Sequence, residues 1–154
     1  MKLFYTIIII ISCLMCCKSK YNTPYDYKGD KIIFGSAGGF AGKITEYTLL
    51  SNGDFYKGTG SEGFVDQLSH DMKDRAKQFF KSYDSLQFDT LNIDETGNMT
   101  YYIVMDRKDQ DRHRIQWADD VDAAHQSLKI FHRNLFEFAK SVNATQSDTP
   151  LPTK

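Results

Sequence analysis

Lys43-Ile44-Thr45-Glu46-Tyr47-Thr48-Leu49-Leu50-Ser51-Asn52-Gly53-Asp54-Phe55-Tyr56 is the stretch on which the reading of the fold turns. Lys43 to Leu50 reads as a strand, and Asn52-Gly53 closes it. Asn-Gly is the strongest short hairpin signal, because a type I′ turn needs φ > 0 at both central residues. A two-residue turn there predicts Ser51 opposite Asp54, Leu50 opposite Phe55 and Leu49 opposite Tyr56. Glu46, Thr48 and Lys57 mark one face as polar, so Tyr47, Leu49 and Tyr56 are expected to point inward.

The neighbouring segments extend this pattern. Lys31 to Phe34 is a short strand, β-branched at Ile32 and Ile33, and a glycine-rich loop spans Gly35 to Gly42. Phe64 or Val65 is expected to open a helix, because Val65, Leu68, Met72, Ala76, Phe79 and Tyr83 recur at three- and four-residue steps. Leu86 and Phe88 alternate with polar residues and suggest a short strand. After a turn at Gly97-Asn98, Met99, Tyr101, Ile103 and Met105 line one face of a strand. Its partner alternates, with His113, Ile115 and Trp117 against Arg112, Arg114 and Gln116. Asp119, Asp120 and Asp122 can cap a last helix whose stripe is Leu128, Phe131, Leu135, Phe138 and Val142. The expected class is α+β. In detail, it is a two-layer sandwich with an antiparallel sheet of two hairpins and two amphipathic helices on one face, in the order ββ(β)–α–(β)ββ–α. The other face of the sheet would be polar or partly covered by the preceding segment.

That preceding segment is an address. Lys2 is followed by an apolar run from Leu3 to Met15, centred on Ile7 to Ile11. A positive start and a short apolar core make a secretion signal. The run is about 13 residues, short of the ~20 that a spanning helix needs. It ends Leu14-Met15-Cys16-Cys17, which resembles a bacterial lipobox with Leu14 at −3 and Cys17 as the lipidated cysteine. Cys16 in that role would put Cys13 at −3, so Cys17 is preferred; an ordinary signal peptide with incidental cysteines is the plainer alternative. The lipobox implies a diacylglycerol and a further acyl chain, hence durable attachment, since each buried methylene contributes ~0.8 kcal/mol. Lys18 stands at +2, where an inner-membrane retention signal would carry Asp. The resemblance therefore implies the outer membrane, facing the periplasm. The division expected is 1–16 signal peptide, 17–30 lipidated cysteine and flexible tether, 31–142 a single domain, and 143–154 a disordered tail.

The three cysteines all lie in that leader, so a disulfide or thiolate metal site is excluded from the body. The chain carries 19 basic and 20 acidic residues, without a basic stripe for nucleic acid or a polybasic membrane patch. Phe and Tyr are abundant, which favours a packed core over a disordered stalk.

The stretch from Phe34 through Gly53, with the frame FGxxGGFxGxxTEYTLLxNG, resembles small uncharacterised lipoproteins of Bacteroidota-type bacteria. Gly97-Asn98-Met99-Thr100-Tyr101 and Ile115-Gln116-Trp117 are similar to the second hairpin of that group. The resemblance implies no catalytic residue. Lys18-Ser19-Lys20 lacks the acidic surface-export signal of the group, while Asp84-Ser85-Leu86 and Asp89-Thr90-Leu91 resemble its O-glycosylation triplet.

Motifs for chemistry mostly fail on spacing. Gly42-Lys43 invites a phosphate loop, but Ala37 stands at the first glycine position, Ile44 replaces Ser or Thr, and a strand follows. Gly38, Gly39, Phe40 and Gly42 remain as a possible ligand-binding lip around an exposed Phe40. Asp106, Asp109 and Asp111 do not complete a calcium loop, because His113 and Arg114 occupy ligand and glycine positions. His125 and His132 lie near one line of the last helix without a carboxylate partner, and read as exposed or half-buried. Trp117 reads as core or sheet-edge packing rather than a sugar platform. The expectation is a lipid-anchored envelope protein, without metal or cofactor, that binds or shields an envelope protein or glycan and no nucleic acid. The alternative is a small hydrolase or ligand sensor with its site at loop 35–42.

Overall fold

The computed structural model describes residues 23–58, 65–69, 71–118 and 126–147. The strands are β1 (Lys31–Gly38), β2 (Lys43–Leu50), β3 (Phe55–Gly58), β4 (Val65–Ser69), β5 (Met99–Asp106) and β6 (His113–Ala118). Helix α1 (Lys73–Ser85) follows β4, a 3₁₀ turn covers Phe88–Thr90, and α2 (Gln126–Ser147) follows β6. The six strands form one antiparallel sheet in the order β4-β3-β2-β1-β5-β6, so the class is α+β.

Strand β1 is longer than Ile32-Ile33-Phe34 suggested, and takes in the first half of the expected glycine loop. Gly35 allows this. A Cβ there would lie 2.4 Å from the Thr45 carbonyl oxygen and 2.5 Å from the Tyr102 hydroxyl. The glycine spacing therefore serves close packing inside a strand as well as a turn.

The Asn52-Gly53 turn forms where expected, with a different loop length. Gly53 N–H donates to Leu50 O and Leu50 N–H to Asp54 O, both at 2.9 Å. Ser51, Asn52 and Gly53 make a three-residue loop in which Gly53 has φ +98° and Asn52 does not have positive φ. That is a type I turn closed by a left-handed glycine, not a type I′ turn. Leu49 consequently pairs with Phe55, and Thr48 with Tyr56. The one-residue change turns β3 over. Tyr47 and Leu49 face the core as expected, but Phe55 takes the inward place assigned to Tyr56. Tyr56 is buried away from that cluster and accepts a hydrogen bond from Gln67 Nε2 at 3.1 Å.

Two further expectations are corrected. The first helix does not open at Val65. Val65–Ser69 pairs with β3, whose edge would otherwise be open, and Asp71 at φ +65° ends the extended run. Pairing of an exposed strand edge overrides the helical period of Val65 and Leu68. The later members of the stripe do belong to a helix: Ala76 and Tyr83 are buried, with Met72 and Phe79 packed against them. The strand expected at Leu86 and Phe88 is a left-handed turn at Gln87, φ +53°, leading into the 3₁₀ turn. Leu86 is exposed and Phe88 buried, which the turn explains as readily as an alternating strand. Helix α2 carries Leu128, Phe131, Leu135 and Val142 inward with Ala139, and continues past residue 142 to Ser147. The proposed caps Asp119, Asp120 and Asp122, together with Cys17 and the leader, lie outside the described residues.

The core joins the helices to one set of strand side chains: Ile32, Phe34, Tyr47, Leu49, Phe55, Ile103, Met105, Ile115 and Trp117. Phe34, Tyr47 and Phe55 stack across β1, β2 and β3, with centroids 5.5 to 6.2 Å apart. Phe136 meets Phe34 and Tyr47 edge-on at 5.6 and 5.7 Å, and Phe138 lies 5.1 Å from Phe55. Such pairs add about 0.5–1.5 kcal/mol each beyond burial. A smaller cluster of Ile33, Tyr102 and Val104 occupies the alternate positions of β1 and β5. Tyr102 donates to Glu46 Oε2 at 2.7 Å, and the Arg114 guanidinium lies 4.4 Å from its ring centroid. Residues 23–30, expected as tether, are tied to the domain. Tyr27 Oη is 2.8 Å from Ser51 Oγ, Asp30 O accepts from Ser51 N–H at 2.9 Å, and Asp30 pairs with Arg107 at 3.5 Å.

Gly53 also holds the sheet to α1. Its carbonyl accepts from Met72 N–H at 2.9 Å, and a Cβ on it would lie 2.4 Å from Lys73 N. Gly42, φ +58°, has open space around the same position. Gly42→Ala is expected to cost about 1–2 kcal/mol, the ordinary left-handed penalty. Gly53→Ala adds a backbone collision and should lower the melting temperature by several degrees more. Equal melting of the two variants in a thermal scan would refute this account of the turn.

Candidate functional site

Tyr101 and Trp117 are directly opposed across β5 and β6, on the face that also carries Ile103 and Ile115. Period-two alternation puts them there. Their rings stack with centroids 6.1 Å apart. Helix α2 crosses this pair with His132, four residues after buried Leu128 and so on its inward stripe. The His132 ring lies 5.1 Å from Trp117, 5.5 Å from Tyr101 and 4.7 Å from Phe136. Lys129, three residues before His132, completes the lining of a cavity of about 210 Å³ with Tyr101, Trp117 and His132.

His132 is buried, and its Nε2 lies 3.0 Å from the Gly35 carbonyl oxygen. A carbonyl only accepts, so Nε2 carries the hydrogen and Nδ1 presents a lone pair. Burial pushes the imidazole pKa from 6.5 down to about 4, against which the Gly35 bond acts weakly. The ring is therefore neutral at neutral pH. The cavity is thus walled by two aromatic rings, a neutral imidazole and Lys129.

A second, half-buried network is a structural pin. The Tyr83 hydroxyl donates to His113 Nδ1 at 2.8 Å, and His113 Nε2–H donates to Leu91 O at 3.0 Å. Burial first, and then Asp89, raise the Tyr83 pKa above its ordinary value, so the phenol remains a donor. Every polar group of that chain has its partner. A wider groove of about 390 Å³ runs between α1 and α2, beside Arg75, Phe79, Asn134, Glu137 and Phe138. Its charged rim is paired locally, Arg75 with Gln78 at 3.4 Å and Glu137 with Lys140 at 2.7 Å.

The glycine-loop residues sit apart from the His132 cavity. Gly42 N–H donates to Gly39 O at 3.0 Å, closing the β1–β2 turn, and Gly39 N–H donates to Asn98 O at 2.7 Å, tying that turn to the start of β5. Gly38, Gly39 and Gly42 all have positive φ, and Phe40 at the tip is fully exposed. The cavity lies further back along β1, where Ser36 faces Tyr101 and Gly35 meets His132. Asp106 pairs with Lys31 at 3.3 Å, and His70 and His125 lie outside the described residues. Among the described residues, no three His, Cys, Asp or Glu side chains gather to hold a metal ion. Sequence reasoning placed His132 as exposed or half-buried. The available signal was its spacing from Leu128 and Leu135, a polar residue on an apolar stripe.

No family model, no curated protein and no solved structure matches this chain.

The depressed histidine gives a pH signature. Above pH 6.5 the ring is neutral in both folded and unfolded chains, and its contribution is intact. As pH falls from 6.5 towards 4, the unfolded chain takes up a proton that the folded one resists, so stability is lost. The loss totals on the order of 3 kcal/mol. His132→Phe cannot titrate, so urea unfolding should show its stability flatter than the parent's across that window. Parallel curves for the two proteins would refute the assignment.

Proposed function

We propose that this chain is a lipid-anchored cell-envelope protein, held through Cys17 to the outer membrane on its periplasmic side, whose domain binds or shields an envelope component without catalysing a reaction. The observation that carries the reading is Leu14-Met15-Cys16-Cys17 after a positive, apolar leader. The likeness to small lipoproteins of Bacteroidota-type bacteria supports it. In the finer architecture we propose, both helices cover the face of the sheet that bears Phe34, Tyr47 and Phe55, in two layers. The shared core cluster supports that arrangement. A binding role is supported by a cavity walled with aromatic rings and by polar networks that are otherwise spent on holding the fold. The second reading, a small hydrolase or ligand sensor at loop 35–42, is favoured by the fully exposed Phe40.

Cys17→Ala tests the anchor. The variant is expected to keep its leader or to leave the membrane fraction, and to take up no radiolabelled palmitate. Normal processing with normal acyl labelling would rule out Cys17 as the lipidated residue.

A further inference from the structure

Trp117 Nε1 and His132 Nδ1 are buried polar atoms without a partner among the described residues, and both belong to side chains that line the same cavity. Trp117 is 2 % exposed, and its indole N–H, a donor only, makes no hydrogen bond. His132 is 7 % exposed and spends its one N–H on Gly35, leaving Nδ1 as a bare acceptor. Buried polar groups are normally hydrogen-bonded, and an exception points to a missing water or ligand. Other features of the surface carry less. The rim of the α1–α2 groove is paired within itself, and Phe40 is a lone aromatic at a turn.

We propose that the cavity between β5, β6 and α2 holds one sugar residue of a glycan, with a single hydroxyl accepting from Trp117 Nε1–H and donating to His132 Nδ1. The pair of atoms selects the group. A carboxylate would place its charge against the lone pair of Nδ1. An ammonium would place its hydrogens against the indole N–H. A hydroxyl both donates and accepts. The two rings are immediate neighbours, with centroids 5.1 Å apart, so the proposal places the oxygen between adjacent side chains. Tyr101 supplies an apolar wall for the C–H face of the ring. The cavity of about 210 Å³ has room for more than one water, which needs only ~10–15 Å³, and is smaller than the ~300–1,000 Å³ of drug-sized sites. This site rests on the reading of the domain as a binding module and not on the anchor.

The test uses the full chain in a zwitterionic, sugar-free detergent, with glucose, galactose, mannose and N-acetylglucosamine as probes. Trp117 is the only tryptophan, so its fluorescence and its indole N–H resonance report on this site alone. At least one sugar should shift both signals saturably. Trp117→Phe keeps the ring bulk and loses the donor, and should weaken calorimetric affinity about tenfold, one hydrogen bond's worth. Should that variant fail to fold, the indole resonance of the parent chain decides alone. No shift with any of these sugars, unchanged affinity in Trp117→Phe, or a shift with acetate but none with sugars overturns the proposal. A Cys17→Ala chain should bind sugar as the parent does, so failure of the anchor and failure of the site are read separately.

Discussion

Strand β1 is hydrogen-bonded along both edges over all eight residues, to β2 on one side and β5 on the other. It is also buried on both faces, with Ile32 and Phe34 in the main cluster and Ile33 in the smaller one. Everything else is placed relative to it. Without β1 the sheet falls into a β4-β3-β2 piece and a β5-β6 hairpin, which share no strand pairing. Two-sided burial explains why Ile32-Ile33-Phe34 is a continuous apolar run rather than an alternating one. Its second half carries glycine at two positions where neighbours leave no room for a side chain: a Cβ would lie 2.4 Å from Thr45 O at Gly35 and 2.1 Å from Asn98 O at Gly38.

The same strand links packing to the candidate site. His132 reaches from α2 to the carbonyl of Gly35, so the helix, the central strand and the Tyr101–Trp117 pair are coupled through one imidazole. The half-buried His113 and the buried His132 are handled differently. His113 has both ring nitrogens occupied, by Tyr83 and Leu91. His132 has one occupied and the other facing an aromatic environment with a second unpaired group nearby. A buried polar group that is only half satisfied weakens a fold unless something else completes it. That asymmetry is the reason to look for a ligand at one histidine and not at the other.

Much of the fold was legible because it rests on local periods. The alternation of Tyr101, Ile103 and Met105, and of Ile115 and Trp117, survives in β5 and β6. The stripe of α2 survives, with Ala139 added. Expectations failed where two local signals competed. Asn-Gly supports either a two- or a three-residue loop, and the choice moves every β3 side chain to the other face. Val65 and Leu68 fit a helical period and also a short strand, and the vacant edge of β3 settled it. The candidate site was the least legible part. Tyr101, Trp117 and His132 come from three elements, and Trp117 belongs to the core and to the cavity wall at once.

The sequence by itself determined where the chain turns and which stretches are amphipathic, because turns and periods depend on residues a few positions apart. Asn52-Gly53, Gly97-Asn98 and the stripe from Leu128 to Val142 are of this kind. It also carries the leader pattern ending at Cys17, a motif read without any fold. Only the tertiary structure decided the register of β3, the strand at Val65–Ser69 and the burial of His132. Each is set by a surface that comes from elsewhere in the chain. The helix at Lys73 limits the turn at Gly53, the open edge of β3 recruits β4, and the Gly35 carbonyl draws in an imidazole 97 residues away. A hydrogen-bond partner or a steric limit at that separation leaves no periodic trace in the local sequence.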